Sequence, residues 1–552
     1  MQPKKSCSIL VYLCVTSLLF LTAGIVLLCV WELVYNFIVS GNLILQPSST
    51  AYSMWIKNPI PLSLKLYVFN WTNPTDIYNS SIKPKFQQLG PYTYGETKEK
   101  SSITWNANNT VTFKHLKKWY FDAERSNGSL YDMVTSINPI ALSAAYASRN
   151  WNYLFRKGFS VTFDGIVNST IVVTRSVGEV LFDGYDDSLI NIAKTFPFLA
   201  GSSLPPMDKF GWFYGAGMGM VLAQALRPIV FSSLPVALST GIYTVLLLNA
   251  RSYFLVQNSP VSLRNGSEDF EGTFNMDTGV TGQLGQLYNW KYANHTPYYR
   301  GHCGALNNAS AGEFFPTNLR KDSTLKFFSA DLCRYVELEF EKEETVHGIV
   351  GYKYSAGDKF LDNGTKIPEN RCFCDGQCMP SGALNVSACR YGSPAFVSLP
   401  HFNKADPYYR DIIEGTDPNE DQHNFYMVLE PKTAVPLKVA ARLQLNLRMQ
   451  EVRGISLYEK VPTVYIPVLW FEQVVTIPDS LAFGIKVLLN FKVMCWAISI
   501  IAIGIGVLIM ICVFYKLCSS ELLDRKSKRQ HVKEEVPLKR EPHIFNATKC
   551  KS

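Results

Sequence analysis

Two long apolar runs, one near each end of the chain, constrain its fold more than any other feature. Residues 9–31 and residues 493–515 each hold 23 consecutive positions without a charged side chain. At about 1.5 Å of rise per residue, a helix of this length reaches roughly 34 Å, enough to cross the hydrocarbon layer of a bilayer. The first run is too long for the apolar part of a signal peptide and lacks a clear cleavage site, so it predicts an uncleaved anchor.

The charges beside these runs predict their orientation. The net charge of the chain is +8, and ten Lys/Arg against five Asp/Glu place +5 of it in residues 516–552, while Lys4 and Lys5 add +2. Positive charge next to a span favours the cytosolic side. We therefore expect a cytosolic tail at 1–8, transmembrane helices at 9–31 and 493–515, an ectodomain at 32–492, and a basic cytosolic tail at 516–552. A basic tail beside a span suits contact with anionic lipid, and we expect no nucleic-acid partner.

Glycosylation sequons support this orientation. The expected ectodomain contains ten Asn-x-Ser/Thr sequons, a number that is hard to attribute to chance although each one alone is a weak signal. The predicted glycosylation sites are Asn70, Asn79, Asn108, Asn127, Asn168, Asn265, Asn294, Asn308, Asn363 and Asn385. An eleventh sequon, at Asn546, lies in the expected cytosolic tail and is predicted to stay unmodified.

The thirteen cysteines fall into two groups. Six lie in the expected ectodomain, and in an oxidising compartment an even number predicts three disulfides, for which 15 pairings are open. Of the remaining seven, Cys7 and Cys518 lie beside the spans, where either palmitoylation or an unmodified thiol is consistent with the sequence.

A third apolar stretch, residues 229–250, is long enough to cross a membrane but does not fit the topology. A span there would put the sequons of residues 32–228 and the six cysteines of residues 251–492 on opposite sides of the membrane. One of the two sets would then face the cytosol, where neither glycans nor stable disulfides form. Pro235 also falls inside the run and weakens a helix. We expect residues 216–263 to be an atypical hydrophobic insertion on the ectodomain side. An unspliced intron translated into the sequence and a real insertion both remain open.

The rest of the ectodomain predicts an α+β fold that is mostly antiparallel. Alternating, β-rich stretches such as "LKLYVFNW" and "TVYIPVLWFEQ" read as strands, and "SITWNANNTVTF" reads as a hairpin with an Asn-Asn turn. Helical spacing appears after residue 138, with Asn138 as the cap and Pro139 in the first turn. No nucleophile elbow, phosphate loop or zinc-type cysteine spacing is present, so the sequence predicts no enzyme, no metal site and no cofactor.

Many short motifs, in order along nearly the whole chain, resemble the class B scavenger receptors, the family that contains platelet glycoprotein IV and the lysosomal integral membrane protein. The matching motifs include "NWTNP", "LGPYTY", "NPIALSAAYASR", "FFSADLCR", "RCFCDGQC", "SLPHF" and "IPVLWFE". Some details resemble the insect croquemort and epithelial-membrane-protein branch. The resemblance implies two terminal membrane helices, an ectodomain with an antiparallel β-barrel core and an apical helical bundle, and a lipid-sized tunnel through the barrel.

The resemblance also implies particular site residues. It implies the disulfides Cys303–Cys372, Cys333–Cys389 and Cys374–Cys378. In platelet glycoprotein IV a lysine of the apical helical region is tied to ligand binding, whereas the matching stretch here, "GFSVTFDGIVNST", contains no lysine. Arg156 and Lys157, just before it, are the candidate ligand-binding cations, and two solvated charges at a helix end are the competing interpretation.

The function expected from this resemblance is that of a cell-surface scavenger receptor. It would bind lipids, lipoproteins or anionic particles, including apoptotic and microbial surfaces, and pass lipid through the tunnel to the membrane. A subunit of a two-span ligand-gated channel and a lysosomal receptor of the same family are the alternatives. We expect the plasma membrane rather than the lysosome, because an acidic dileucine signal needs its acidic residue several positions upstream of the leucines, whereas Glu521 directly precedes Leu522–Leu523. Homo-oligomerisation is left open by the sequence.

Overall fold

The computed structural model describes residues 3–161, 163, 165, 168–195, 208–214, 264–306, 309–374, 378–390 and 392–534. These residues form two compact units, one from the two chain ends and the other from Asn42–Ala482. The expected insertion at 216–263 lies outside the described residues.

A long α-helix lies at each end of the chain, and strands with a few short helices lie between them. The helices are α1 (Pro3–Leu43), α2 (Thr50–Ile56), α3 (Pro139–Ser148), α4 (Tyr153–Val161), α5 (Ser188–Thr195), α6 (Tyr408–Asp411), α7 (Glu420–His423) and α8 (Asp479–Glu534). The first strands are β1 (Leu62–Trp71), β2 (Phe86–Trp105), β3 (Thr110–Phe121), β4 (Met133–Ile137), β5 (Val172–Ser176), β6 (Phe274–Asp277), β7 (Leu287–Trp290) and β8 (Leu325–Ser329). The remaining strands are β9 (Arg334–Val346), β10 (Ile349–Ser355), β11 (Ala383–Asn385), β12 (Ala395–Ser398), β13 (Tyr426–Leu429), β14 (Pro436–Met449) and β15 (Val464–Thr476).

The chain is a two-span membrane protein with one apolar helix near each end. The spans of sufficient length and hydropathy are Ile9–Ile38 in α1 and Asp479–Leu523 in α8, so each helix continues beyond the 23-residue run that predicted it. The two helices pair antiparallel through small residues. The Ser17 hydroxyl donates to the carbonyl of Gly506 at 2.8 Å, and a Cβ on Gly24 would lie 2.7 Å from the Ile503 side chain. Close backbone approach at small residues is the usual way in which membrane helices pack.

The ectodomain is built on one large antiparallel sheet of thirteen strands. Its main path runs β7–β6–β3–β2–β1–β15–β14–β13–β10–β9–β8, with β12 and β11 branching from β14, and β4 pairs separately with β5. The expected hairpin is present, because β2 and β3 pair in register around a turn in which Asn109 has a positive φ. The stretch "LGPYTY" does not turn the chain, since Gly90 and Pro91 lie inside the continuous strand β2.

The sheet closes almost completely on itself. Its two end strands, β7 and β8, are connected through Ser310, which bridges Gln286 on one side and Phe327 on the other. Four backbone hydrogen bonds join the segment 309–311 to the neighbouring chain at 285–287 and 326–328. We call the contacts of segment 309–311 with 285–287 and with 326–328 the seam. The expectation of an α+β ectodomain with an antiparallel barrel core is therefore confirmed.

The helices α3, α4 and α5 follow the first four strands and form the helical part of the ectodomain. Asn138 caps α3 as expected, because its Oδ1 accepts hydrogen bonds from the amides of Ile140 and Ala141, both at 3.0 Å. The stretch that predicted one helix contains two, and the break at residues 149–152 turns α4 toward the connection between β14 and β15. That connection lies at the end of β15 opposite Ile477, where the chain leaves the sheet.

Candidate ligand-binding site

Helix α4 exposes an apolar face. Its first turn forms because Asn152 Oδ1 accepts a hydrogen bond from the amide of Leu154 at 3.0 Å. Leu154 and Phe155 are 77% and 64% exposed, and Tyr153 and Val161 are also exposed. The opposite side of the helix packs through Ser160, whose hydroxyl lies 2.6 Å from that of Ser456. Neighbouring large apolar side chains left in water are typical of a contact surface.

The two cations predicted to bind ligand lie beside this face, and both already have protein partners. Arg156 donates through Nη1 to the carbonyl of Arg149 at 2.5 Å. Lys157 Nζ lies 2.8 Å from Glu459 Oε1, and the pairing with Lys157 holds the pKa of the Glu459 carboxyl below its usual range. The structure thus brings the cations next to the apolar patch, but a ligand carboxylate would have to compete with Glu459 for Lys157.

The barrel interior contains a cavity of about 140 Å³. One side is apolar and comes from β12, β14 and β15, with Val397, Leu443, Leu445, Leu469 and Phe471. Small-ligand sites usually enclose about 300–1,000 Å³, so the cavity in this conformation accommodates only part of a lipid molecule.

The other side of the cavity is charged around Arg264. Its guanidinium lies over the rings of Phe213 and Phe270, at 4.7 and 4.6 Å from their centroids, and Nη2 lies 3.1 Å from Asp331 Oδ1. Arg390 also reaches Asp331, at 3.6 Å. Two guanidinium groups share one carboxylate here, and Arg264 Nε is buried without a hydrogen-bond partner among the described residues. Such a centre suits an anionic or strongly polar head group.

The charged side continues along the inner face of β2 and β3 as a buried ion cluster. Lys100 is opposite His115 and Lys98 is opposite Lys117 in the β2–β3 register, and directly opposite residues share one face of a sheet. Glu313, which follows segment 309–311 of the seam, lies 2.7 Å from Lys98 and also pairs with Lys100. Glu271 pairs with Lys117 and lies 2.7 Å from His115 Nδ1. We define the ion cluster as the six side chains of Lys98, Lys100, His115, Lys117, Glu271 and Glu313.

Burial shifts the pKa values of the ion cluster strongly. It lowers the pKa of Lys100, whose side chain is 2% exposed, to about 7, although Glu313 partly opposes this. It lowers the pKa of His115 to about 3, with help from Lys100 and Lys98. Burial raises the pKa of Glu313, but Lys100 and Lys98 outweigh it and leave the carboxyl below its usual range. The glutamates therefore stay ionised and His115 stays neutral at physiological pH.

The structure joins the six ectodomain cysteines in the pairs that the resemblance implied. Cys303 is bonded to Cys372, Cys333 to Cys389, and Cys374 to Cys378, with Cα–Cα distances of 5.9, 6.3 and 4.7 Å. Cys518 is partly buried in α8. The side chain of Cys7 lies outside the described residues.

The predicted glycosylation sites differ in their surroundings. Asn363 is only 3% exposed, and its Nδ2, the atom that would carry the sugar, donates to the carbonyl of Met379 at 2.9 Å. Asn70 and Asn385 are partly buried, and Asn308 lies outside the described residues. The exposed predicted sites are Asn79, Asn108, Asn127, Asn168, Asn265 and Asn294.

Comparison with known proteins agrees with this architecture. The model of the CD36 family matches residues 15–517. Protein peste of Drosophila melanogaster is 35% identical over 468 residues, which cover 84% of this chain and 74% of that protein. Scavenger receptor class B member 1 of Bos taurus is 28% identical over 510 residues (91% and 88%), and lysosome membrane protein 2 of Rattus norvegicus is 26% identical over 499 residues (89% and 91%). With two membrane helices, a nearly closed antiparallel barrel and a family match over almost its whole length, this chain belongs to the CD36 family.

Proposed function

We propose that the chain is a cell-surface scavenger receptor that captures lipids, lipoproteins or anionic particles and passes lipid through the ectodomain to the membrane. The observation that supports this most directly is the barrel cavity, in which an apolar side faces the Arg264 centre. An amphiphile has the same two parts, since its acyl or sterol portion avoids water and its head group is polar.

In this proposal the exposed face of α4 makes the first contact. Leu154 and Phe155 offer apolar area to a lipid surface, while Arg156 and Lys157 border it with positive charge. Release of Lys157 from Glu459 would let it bind an anionic group, because the pair is partly exposed and surface ion pairs contribute only about 0–1 kcal/mol.

We further propose that both termini are cytosolic and that the ectodomain lies outside the cell. Three disulfides need an oxidising compartment, and the basic tail suits the cytosolic leaflet. The chain is proposed to reside in the plasma membrane.

The test separates capture from passage. Leu469→Trp fills the cavity, and Val474→Trp, at an exposed position on the other face of the same strand, is the matched control. Cells that display equal amounts of each protein at the surface are given lipoprotein with labelled lipid. We expect Leu469→Trp to retain particle binding and lose most lipid uptake, and Val474→Trp to retain both.

A contrasting variant addresses capture. Replacing Leu154 and Phe155 together by serine should lower particle binding itself, and lipid uptake should fall in proportion. Equal uptake by Leu469→Trp and Val474→Trp would remove the cavity from the proposal. Ligand-evoked current without lipid uptake would favour the channel alternative.

A further inference from the structure

A row of uncharged polar side chains crosses the outer face of the barrel on three adjacent strands. Thr112 on β3 is directly opposite Asn275 on β6, and Asn275 is directly opposite Asn289 on β7. Directly opposite residues point to the same side of a sheet. Their neighbours Phe113 and Phe274 are buried on the inner side, so the row faces outward.

This row forms the floor of a groove of about 470 Å³, a size typical of small-ligand sites. No charged side chain is among the described residues that line it, which are Asn106, Ala107, Asn108, Thr110, Thr112, Thr273, Phe274, Asn275, Asn289 and Tyr292. The side-chain amides of Asn106 and Asn275 both donate to the hydroxyls of Thr110 and Thr112, which fixes the floor of the groove. Their carboxamide oxygens and the Asn289 carboxamide match the hydroxyl and acetamido groups of a sugar.

Tyr292 stands at the edge of the groove in a costly backbone conformation. It is 81% exposed. Together with Lys291 it forms a two-residue turn, closed by hydrogen bonds between Trp290 and Ala293, in which both central residues have positive φ. Turns of this kind favour Asn-Gly, and a bulky residue there is an outlier that often marks a functional constraint. The result is an aromatic ring beside the polar floor, where it can pack against a sugar face.

The groove has a candidate occupant attached to its rim. Asn108 lines the groove and belongs to the sequon Asn108-Asn109-Thr110 in the turn between β2 and β3. Its Oδ1 accepts a hydrogen bond from the Thr110 hydroxyl at 2.8 Å, which fixes the carboxamide plane. In contrast to Asn363, Asn108 is exposed, and its Nδ2 makes no hydrogen bond to the described part of the chain.

We propose that Asn108 carries an N-linked glycan and that the groove binds the first N-acetylglucosamine units of that glycan, with Tyr292 packed against a ring face. This rests on the proposed location of the ectodomain outside the cytosol. The bound glycan covers the outer face of β3, β6 and β7, so a partner could not dock there, and the face of α4 stays uncovered.

The test measures how fast a glycosidase removes each glycan from the native, full-length protein. Glycopeptide mass spectrometry reports occupancy and release at Asn108 and at Asn127 for three proteins: the unchanged chain, Tyr292→Asn, and the control Tyr131→Asn. Asparagine tolerates positive φ, so Tyr292→Asn removes the ring without straining the turn. Tyr131 is another exposed tyrosine, close to the Asn127 sequon.

We expect slow release at Asn108 in the unchanged chain and release about tenfold faster in Tyr292→Asn, the change produced by losing about 1.4 kcal/mol of binding. Release at Asn127 should be unaffected by Tyr292→Asn, and Tyr131→Asn should leave release at Asn108 unchanged. An unmodified Asn108 beside other occupied sequons, or equal release rates, would overturn this inference alone. No glycan at any of the ten sequons would instead overturn the proposed topology.

One further measurement identifies the source of the sugar. Asn108→Gln, which cannot carry the glycan, is tested for binding of free N-acetylglucosamine oligosaccharide. If it binds, and if the glycan at Asn108 of the unchanged chain is released as fast as the glycan at Asn127, the groove binds external glycans and the assignment to Asn108 is wrong.

Discussion

The ion cluster of the barrel gives the sharpest stability prediction. Glu313 neutralises both Lys98 and Lys100, and the side chains of Glu313 and Lys100 are 20% and 2% exposed. Glu313→Gln leaves Lys98 and Lys100 without this carboxylate in a poorly solvated place. Removing one partner of a buried ion pair costs about 3–5 kcal/mol, because the group left behind must keep a desolvated charge, as for Lys98, or give up its proton, as for Lys100.

The expected shift in melting temperature follows from the size of the ectodomain. Unfolding entropy of about 2.1 cal/mol/K per residue, over the 441 residues of Asn42–Ala482, gives roughly 0.9 kcal/mol/K. A loss of about 3–5 kcal/mol therefore lowers the melting temperature by about 3–5 °C. The measurement is thermal unfolding of the detergent-solubilised chain, followed by tryptophan fluorescence.

Two further variants make this prediction refutable. Glu343→Gln removes the partner of Lys321 from a pair in which both side chains are about half exposed, and it should cost less than about 1 kcal/mol. The double variant Lys100→Met with Glu313→Leu should recover the part of the loss that comes from Lys100, since an apolar pair of similar volume replaces a buried ion pair well, while Lys98 stays without its carboxylate. If Glu313→Gln melts at the same temperature as Glu343→Gln, the cluster is effectively solvated and the reasoning is wrong.

Two other predictions concern acid and the membrane helices. The pKa of His115 is lowered to about 3, and the pKa values of His401 and His423 are lowered to about 4, in each case chiefly by burial. The unfolded histidines bind protons near pH 6.5 and the folded ones do not, so stability falls as pH drops from about 6.5 toward 4. At pH 5 the His115 shift alone lowers the free energy of unfolding by about 2 kcal/mol. His115→Gln should therefore reduce the difference in unfolding free energy between pH 7.5 and pH 5, measured by denaturant unfolding. An unchanged difference would contradict the role given to His115. Gly24→Leu should separate α1 from α8, because even a Cβ would lie 3.0 Å from the Ser499 carbonyl. It should therefore reduce thiol cross-linking between Tyr35→Cys and Phe491→Cys, whose native rings lie 6.0 Å apart across the two helices, whereas Gly41→Leu, with open space around it, should not.

The sequence predicted those elements that depend only on residues close together in the chain. The apolar runs predicted both membrane helices, Asn138 and Pro139 predicted the start of α3, and the Asn-Asn pair predicted the β2–β3 turn. The break between α3 and α4 was missed. The helical spacing of apolar residues continues across residues 149–152, although the helix itself is interrupted there.

The charged interior of the barrel was also missed, although half of its signal is in the sequence. Tyr92 and Tyr94 are buried on one face of β2, and the period of two continues that face through Glu96, Lys98 and Lys100. The other half is not local, since Glu313 lies 213 positions from Lys100, and Glu459 lies 302 positions from Lys157. Pairing across such distances depends on the closed sheet and not on any short pattern.

The seam gives the barrel wall a preferred place to part. Separating β14 from β15 breaks a ladder of twelve paired positions, whereas separating the strands at the seam breaks the four backbone hydrogen bonds around Ser310 in the described residues. Sub-global opening follows the smallest loss of contacts, so amide hydrogen exchange at residues 309–311 should be faster than in β14. A molecule wider than the cavity would then have a lateral route into the barrel. The ion pairs of Glu313 with Lys98 and Lys100 would oppose this opening.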